Sequence, residues 1–132
     1  MKVADIMHAD VRTVDLDATV GEAIAALADV HVSALPVTDT RGVVVGVLST
    51  TDILGAISET TEPGAREQLF DEPVRDLMTS RSRVIAPDAT VPEAARQMLA
   101  LGGHRVFVED KGRMVGVSSQ TDVVAAVATA TI

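Results

Sequence analysis

The sequence predicts a mixed α/β fold of the α+β kind, built from two copies of one strand–helix–strand–strand–helix unit packed as a pseudo-two-fold pair. Three observations lead there. The chain repeats itself in order from end to end, each copy opens a helix with the same capping pattern, and each then gives way to two short β-rich runs. Val3-Ala4-Asp5-Ile6-Met7 returns as Val74-Arg75-Asp76-Leu77-Met78, and Asp17-Ala18-Thr19-Val20-Gly21-Glu22-Ala23 as Asp88-Ala89-Thr90-Val91-Pro92-Glu93-Ala94. Gly46-Val47-Leu48-Ser49-Thr50-Thr51-Asp52-Ile53 returns as Gly116-Val117-Ser118-Ser119-Gln120-Thr121-Asp122-Val123. The offset drops by one residue within a turn and is otherwise constant.

Each element has a local reason. A short strand comes first, over 12–14 and again over 83–85. A helix follows, opened by a Thr-x-x-Glu capping box, Thr19 with Glu22 and Thr90 with Glu93, in which hydroxyl and carboxylate satisfy the free N–H groups of the first turn. Val20, Ala23, Ile24 and Leu27 then recur at helical spacing. Two strands come next, 35–38 and 43–48, around a turn containing Asp39 and Gly42. The second copy has 106–109 and 114–117 around Asp110-Lys111-Gly112-Arg113. A last helix starts near Thr51 and near Thr121, and Val123 to Ala128 reads as the buried side of the second one.

The motifs therefore occupy 1–58 and 73–132, with 59–72 between them. Glu59-Thr60-Thr61-Glu62-Pro63-Gly64-Ala65-Arg66-Glu67 is polar and turn-rich, which suits a surface linker. A unit of this size buries too little surface to be comfortably stable alone, so the pair is expected to share a core and fold together.

Composition narrows the function classes. Of 132 residues, 47% are hydrophobic and 23% charged, a globular balance. The net charge of −8, with no Trp or Tyr and only Phe70 and Phe107, argues against nucleic acid as partner: phosphates are repelled and bases find no stacking platform. The charge is uneven, four basic against thirteen acidic residues over 1–72 and seven against six over 73–132. Without cysteine there is neither a disulfide framework nor thiolate chemistry. No run approaches membrane-spanning length and the N-terminus has no apolar signal region, so a cytoplasmic setting, or a fragment of a larger protein, is expected, with no membrane partner.

The repeated pieces resemble the CBS motif, which occurs in pairs called Bateman modules. They are Ile6-Met7, Val32-Ser33-Ala34-Leu35-Pro36-Val37 and Gly46 to Asp52 in the first copy, and Leu77-Met78, His104-Arg105-Val106-Phe107-Val108 and Gly116 to Asp122 in the second. The match spans nearly the whole chain, and the second copy departs from the usual pattern at Gly102-Gly103, Val106-Phe107 and Ser118. The resemblance implies a regulatory module that binds an adenosine-type ligand (AMP, ADP, ATP or S-adenosylmethionine) in clefts between the motifs, without a catalytic cofactor.

Carried over residue by residue, the resemblance implies that one cleft combines Ser119, Thr121 and Asp122 with Thr13, Val32, Ser33 and Ala34. The other combines Ser49, Thr51 and Asp52 with Val84, Gly103, His104 and Arg105. Each Asp would accept from the ribose hydroxyls. His104 and Arg105 would meet phosphate, for which the planar Arg fork is suited, with Arg81 and Arg83 adding field. On this basis the Asp52 cleft is expected to take polyphosphates more readily. The residues alone also admit plainer readings. Ser-x-x-Asp is an ordinary helix cap, Val32 and Ala34 are ordinary core residues, and Arg105 can pair with Glu109 or Asp110.

His8 and His31 have no metal-ligand spacing, and His8 reads as a surface histidine although its position borders the adenine site in relatives. No residues form an activated nucleophile or an acid–base pair, so no enzyme activity is expected. Three function classes stay open: a nucleotide sensor acting on an unknown regulated protein, a ligand-free structural or dimerisation module, and, with less support, a binder of another small anion or of RNA. In any of these, Ile53, Ile57, Val123, Val124 and Val127 suggest a two-fold homodimer that buries faces of its final or first helices.

Overall fold

The computed structural model describes residues 1–59, 62–79, 84–101 and 105–129. The chain forms two compact units, and each is assembled from both sequence repeats. Arg12–Ser82 makes the first unit, and Met1–Val11 together with Arg83–Ile132 makes the second.

In the first unit, β1 (Val14–Asp15) leads into α1 (Val20–Val30), β2 (Ala34–Thr38), β3 (Val44–Ser49), α2 (Thr50–Ser58) and α3 (Ala65–Asp71). The sheet order is β1-β2-β3, with β1 parallel and β3 antiparallel to β2. β1 starts later than 12–14 because only Val14 and Asp15 find ladder partners, Val37 and Thr38. Thr19 caps α1, its Oγ1 accepting the Glu22 N–H at 3.1 Å, whereas the full reciprocal box is formed in the second copy, where the Thr90 N–H also donates to Glu93 Oε2 at 3.1 Å. The helix stops at His31, whose left-handed φ of 53° turns its N–H back to the Leu27 carbonyl.

Pro36 lies in the central strand, where a missing N–H normally disqualifies proline. Two features make it harmless. β1 reaches only to Val37, so no neighbour awaits the Pro36 nitrogen on that side. Opposite it on β3, Val47 directs both its N–H and its C=O away to Thr79, each at 3.0 Å.

The second unit repeats this plan with β4 (Val84–Ile85), α4 (Val91–Leu101), β5 (Arg105–Asp110), β6 (Arg113–Ser119) and α5 (Gln120–Thr129), in sheet order β4-β5-β6. Both antiparallel ladders carry a bulge at the same place, Val37/Thr38 and Val108/Glu109. The residue lost between repeats comes out of the hairpin turn. Lys111 and Gly112, both at positive φ, close β5–β6 as a two-residue loop. β2–β3 instead uses a longer loop, held by Asp39 Oδ1 accepting the N–H groups of Arg41 and Val43 at 2.9 and 3.0 Å.

The opening pentapeptides are exchanged between the repeats. Val74 is fully buried in the first unit's core with Val14, Ala23, Leu27, Leu35, Val37, Leu48 and Ile53. Val3 is fully buried in the second unit's core with Val91, Ala94, Met98, Val106, Val108 and Val123. The backbone bonds match position by position: Val74 N–H to Ala18 O and Val3 N–H to Ala89 O, both at 2.8 Å. Thr79 then pairs with Val47 on the outer edge of β3, and His8 with Val117 on the outer edge of β6, so that neither edge is left open there. Each core thus takes a fully buried valine from the other repeat, a side chain worth about 1.5–3 kcal/mol of apolar burial.

Within the stretch read as a polar linker, Ala65–Asp71 is helical. Its sequence hides a small apolar side: Leu69 is buried, and Phe70 packs so close to α1 that a Cβ on Gly21 would stand 3.3 Å from the ring. The Arg66 guanidinium covers the other part of that ring, 4.9 Å from its centroid.

Candidate functional site

The two Ser-x-x-Asp elements fold identically, each at the junction of a strand and a helix. Ser49 is the last residue of β3 and caps α2. Its N–H donates to Asp52 Oδ2 at 2.8 Å, its Oγ–H to the same oxygen at 3.0 Å, and the Asp52 N–H donates back to Oγ at 3.2 Å. Ser119 and Asp122 repeat the N–H bond at 2.8 Å and the return bond at 3.2 Å at the start of α5. The cap reading of these residues is therefore realised, and it consumes Oδ2 only. Asp52 Oδ1 accepts no bond among the described residues, so the carboxylate that fastens the helix still offers an acceptor.

Asp122 differs at that second oxygen. His8 Nε2 lies 2.9 Å from Asp122 Oδ1. Since a carboxylate only accepts, the imidazole donates from Nε2. Burial pushes the Asp122 carboxyl up, but the Ser119 N–H, the His8 ring and the Ser119 hydroxyl together hold it below its ordinary value. Sequence reasoning left His8 as a surface histidine. Its ring is indeed largely exposed, and only the exchange of the opening segment brings its Nε2 to Asp122.

The other candidate residues fall into the same two groups. In the first unit, Ala34 is the ladder partner of Ser49 and is buried, while the Ser33 carbonyl accepts the Thr50 N–H at 2.8 Å. Val32 lines an apolar hollow of about 740 Å³ between α1, α2 and α3, together with Leu54, Ile57 and Phe70. Thr51 and Asp52 line a second hollow of about 760 Å³, which also presents Glu59, Glu62, Glu72 and Asp76 and, among the described residues, has no cationic side chain in its lining. Thr13 is exposed just ahead of β1.

In the second unit, Val84 pairs with Phe107 and Arg105 with Ser119. Thr121 is exposed in the first turn of α5. The Arg105 Nε is buried and has no hydrogen-bond partner among the described residues. The carry-over set Arg105 opposite Asp52, whereas inside its own unit it stands across the ladder from the serine that caps Asp122. Arg81, Arg83, Gly103 and His104 lie outside the described residues. Ile53 and Val123, named for a dimer face, are buried in their own units, as is Ala126 of the run read as the inner side of α5. Leu54, Ile57, Val124 and Val127 are exposed. Among the described residues no helix is long and apolar enough to cross a membrane.

Comparison with known proteins agrees with this architecture. The chain is 31% identical over 123 residues to inosine-5'-monophosphate dehydrogenase of Methanocaldococcus jannaschii, a match covering 92% of this chain and 23% of that protein. It is 27% identical to the A-adding tRNA nucleotidyltransferase of Aquifex aeolicus over 96% of this chain and 14% of that one. The chain thus spans a quarter or less of either enzyme. Among solved structures it resembles CBSX2 in complex with AMP, with 28% identity, a TM-score of 0.81 and 96% of each chain covered. It also resembles the CBS-domain protein ATU1752 of Agrobacterium tumefaciens, with 30% identity, a TM-score of 0.78 and coverage of 95% and 92%. The family model described as CBS domain matches residues 3–59 and 74–129, and the chain, with its two exchanged opening segments and paired Ser-x-x-Asp caps, belongs to the CBS domain family as a tandem pair.

Proposed function

We propose that this CBS pair is a regulatory module that senses an adenosine-type ligand, with Asp52 and Asp122 accepting from the ribose hydroxyls. One observation carries the reading: Asp52 is anchored through Oδ2 and presents Oδ1 with nothing bound to it among the described residues. A helix cap needs one oxygen, and a ribose needs the other. The AMP complex of a protein 28% identical over 96% of this chain favours an adenine nucleotide as the ligand class. S-adenosylmethionine is the other ligand the family resemblance implies.

In this proposal Ser49, Thr51, Ser119 and Thr121 supply hydroxyls and free first-turn N–H groups for phosphate. Thr13, Val32, Ser33, Ala34 and Val84 form walls thin enough for a flat base, and His104 and Arg105 bind phosphate. Arg105 suits that role chemically, because its planar fork can donate two parallel bonds to phosphate oxygens. The module works in the cytoplasm, as a homodimer, and passes ligand occupancy to a regulated protein.

Calorimetric titration with AMP, ADP, ATP and S-adenosylmethionine tests the proposal on the wild type and on Asp52→Asn and Asp122→Asn. Loss of a hydrogen bond to a charged acceptor costs about 1.5–3 kcal/mol, roughly ten- to hundred-fold in affinity. Binding of none of the four, or affinity indifferent to both substitutions, refutes it. The competing reading, a ligand-free structural or dimerisation module, has the cap bonds on its side, since Ser49–Asp52 and Ser119–Asp122 already serve the helices. It predicts that both substitutions lower thermal stability and that no nucleotide binds.

A further inference from the structure

The two aspartates are chemically alike, yet only one of them is covered. Asp122 spends Oδ2 on the Ser119 N–H at 2.8 Å and Oδ1 on His8 Nε2 at 2.9 Å. Asp52 spends Oδ2 on Ser49, and among the described residues its Oδ1 accepts nothing. The difference traces to one position of the repeat. Where the second unit receives His8 from its exchanged segment, the first receives Thr79, whose hydroxyl turns to the Val47 carbonyl at 3.2 Å instead of toward Asp52. Both residues have the same backbone pairing to the sheet edge, His8 with Val117 and Thr79 with Val47. Only the side chain decides whether the neighbouring carboxylate is closed.

We infer that His8 is a specificity-determining residue that occupies the second oxygen of Asp122, so that a ribose diol binds there only by displacing the imidazole, while the Asp52 site stands open. The inference rests on the proposed role of the aspartates as ribose acceptors. A diol donates through both hydroxyls and needs acceptor oxygen that is not already saturated. At Asp52 that oxygen is ready. At Asp122 the ligand must break the bond from His8, and the ring, largely exposed and tethered only through its backbone bonds to Val117, has room to swing out to solvent. The pair therefore acts as a self-made competitor for the ribose and sets an order of filling, Asp52 first.

The test isolates each site. Asp52→Asn leaves Asp122 as the remaining ribose acceptor, and Asp122→Asn leaves Asp52. Into each background His8→Thr is introduced, copying Thr79, and AMP affinity is measured by calorimetry. In the Asp52→Asn background His8→Thr should tighten AMP by up to about five-fold, the worth of a hydrogen bond that no longer has to be broken. In the Asp122→Asn background it should change nothing. His8→Gln, which keeps a donor, should restore the weaker binding in the first background, an outcome that a general loosening of the segment does not give. The imidazole NMR signals of His8 in the wild type should also move when AMP saturates the protein. If Asp122→Asn weakens AMP but His8→Thr leaves the Asp122 site unchanged or weaker, the inference is overturned and the ribose role stands. If Asp122→Asn has no effect on AMP, the ribose role of Asp122 fails and the inference falls with it.

Discussion

A Cβ on Gly116 would stand 2.5 Å from the Met7 sulfur, closer than a side-chain carbon approaches, and 3.0 Å from the His8 carbonyl oxygen, tighter than most side-chain carbons come. Gly46 stands in the same relation to Met78, with the Thr79 carbonyl oxygen at 2.5 Å. The glycine that opens each Gly-to-Asp motif therefore clears the space in which the exchanged segment pairs with the sheet edge. Gly116→Ala should cost about 1–3 kcal/mol of stability in urea unfolding, as overpacking usually does. Gly46→Ala should cost more, because its nearest obstacle is backbone, whereas the end of Met7 can shift. Gly55→Ala is the control: nothing lies within 4 Å, and alanine in a helix should stabilise by about 0.5–1 kcal/mol.

Ser118 occupies the repeat position of Leu48, and both are fully buried. Leu48 belongs to its core, but the Ser118 hydroxyl has no hydrogen-bond partner among the described residues. Ser118→Ala removes a buried donor that folding strips of water without repayment. It should raise stability by about 1 kcal/mol, read as a higher urea midpoint with an unchanged m-value. A lower midpoint would mean that the hydroxyl is satisfied in solution.

Asp122 makes a specific contribution to acid stability. Burial alone raises its pKa, but the bonds from Ser119 and His8 outweigh it, so the folded-state value lies below the unfolded one. A carboxylate of this kind contributes stability above its unfolded pKa and loses it as pH falls through the folded value. Wild-type Tm should therefore decline below about pH 4, the ordinary range of an unfolded Asp. Asp122→Asn should be less stable at pH 7 and show a shallower decline in a series of melts from pH 6 to 2. Parallel curves would show that the carboxylate contributes nothing that titrates.

Leu54 and Ile57 on α2 are 63% and 50% exposed, and their repeat partners Val124 and Val127 on α5 are 69% and 60% exposed. The same two positions being apolar and outward in both repeats favours a buried, self-complementary face in a two-fold dimer. Leu54→Glu together with Val124→Glu should give a monomer in sedimentation velocity, with the circular dichroism spectrum unchanged. A wild type that is already monomeric at high concentration would refute the dimer.

The repeat, the element order and the helix starts were all legible in the sequence, because each depends on local chemistry. Thr19 and Thr90 cap as threonine does before a helix, and the Asp39 and Lys111-Gly112 turns do what their residue types dictate. Helix α3 was hidden because its apolar side is little more than Leu69 and Phe70 amid Pro, Gly and carboxylates, too short to register as a period. That Ser49 and Asp52 form a cap follows from spacing alone, since three residues along a first turn bring them together. The partner of Asp122 does not. His8 is 114 residues away, and it arrives only because the opening segment of one repeat completes the core and sheet edge of the other. Sequence similarity records which residues recur. Which of two equivalent carboxylates is left open is decided by long-range backbone pairing, where one side chain is histidine and its counterpart is threonine.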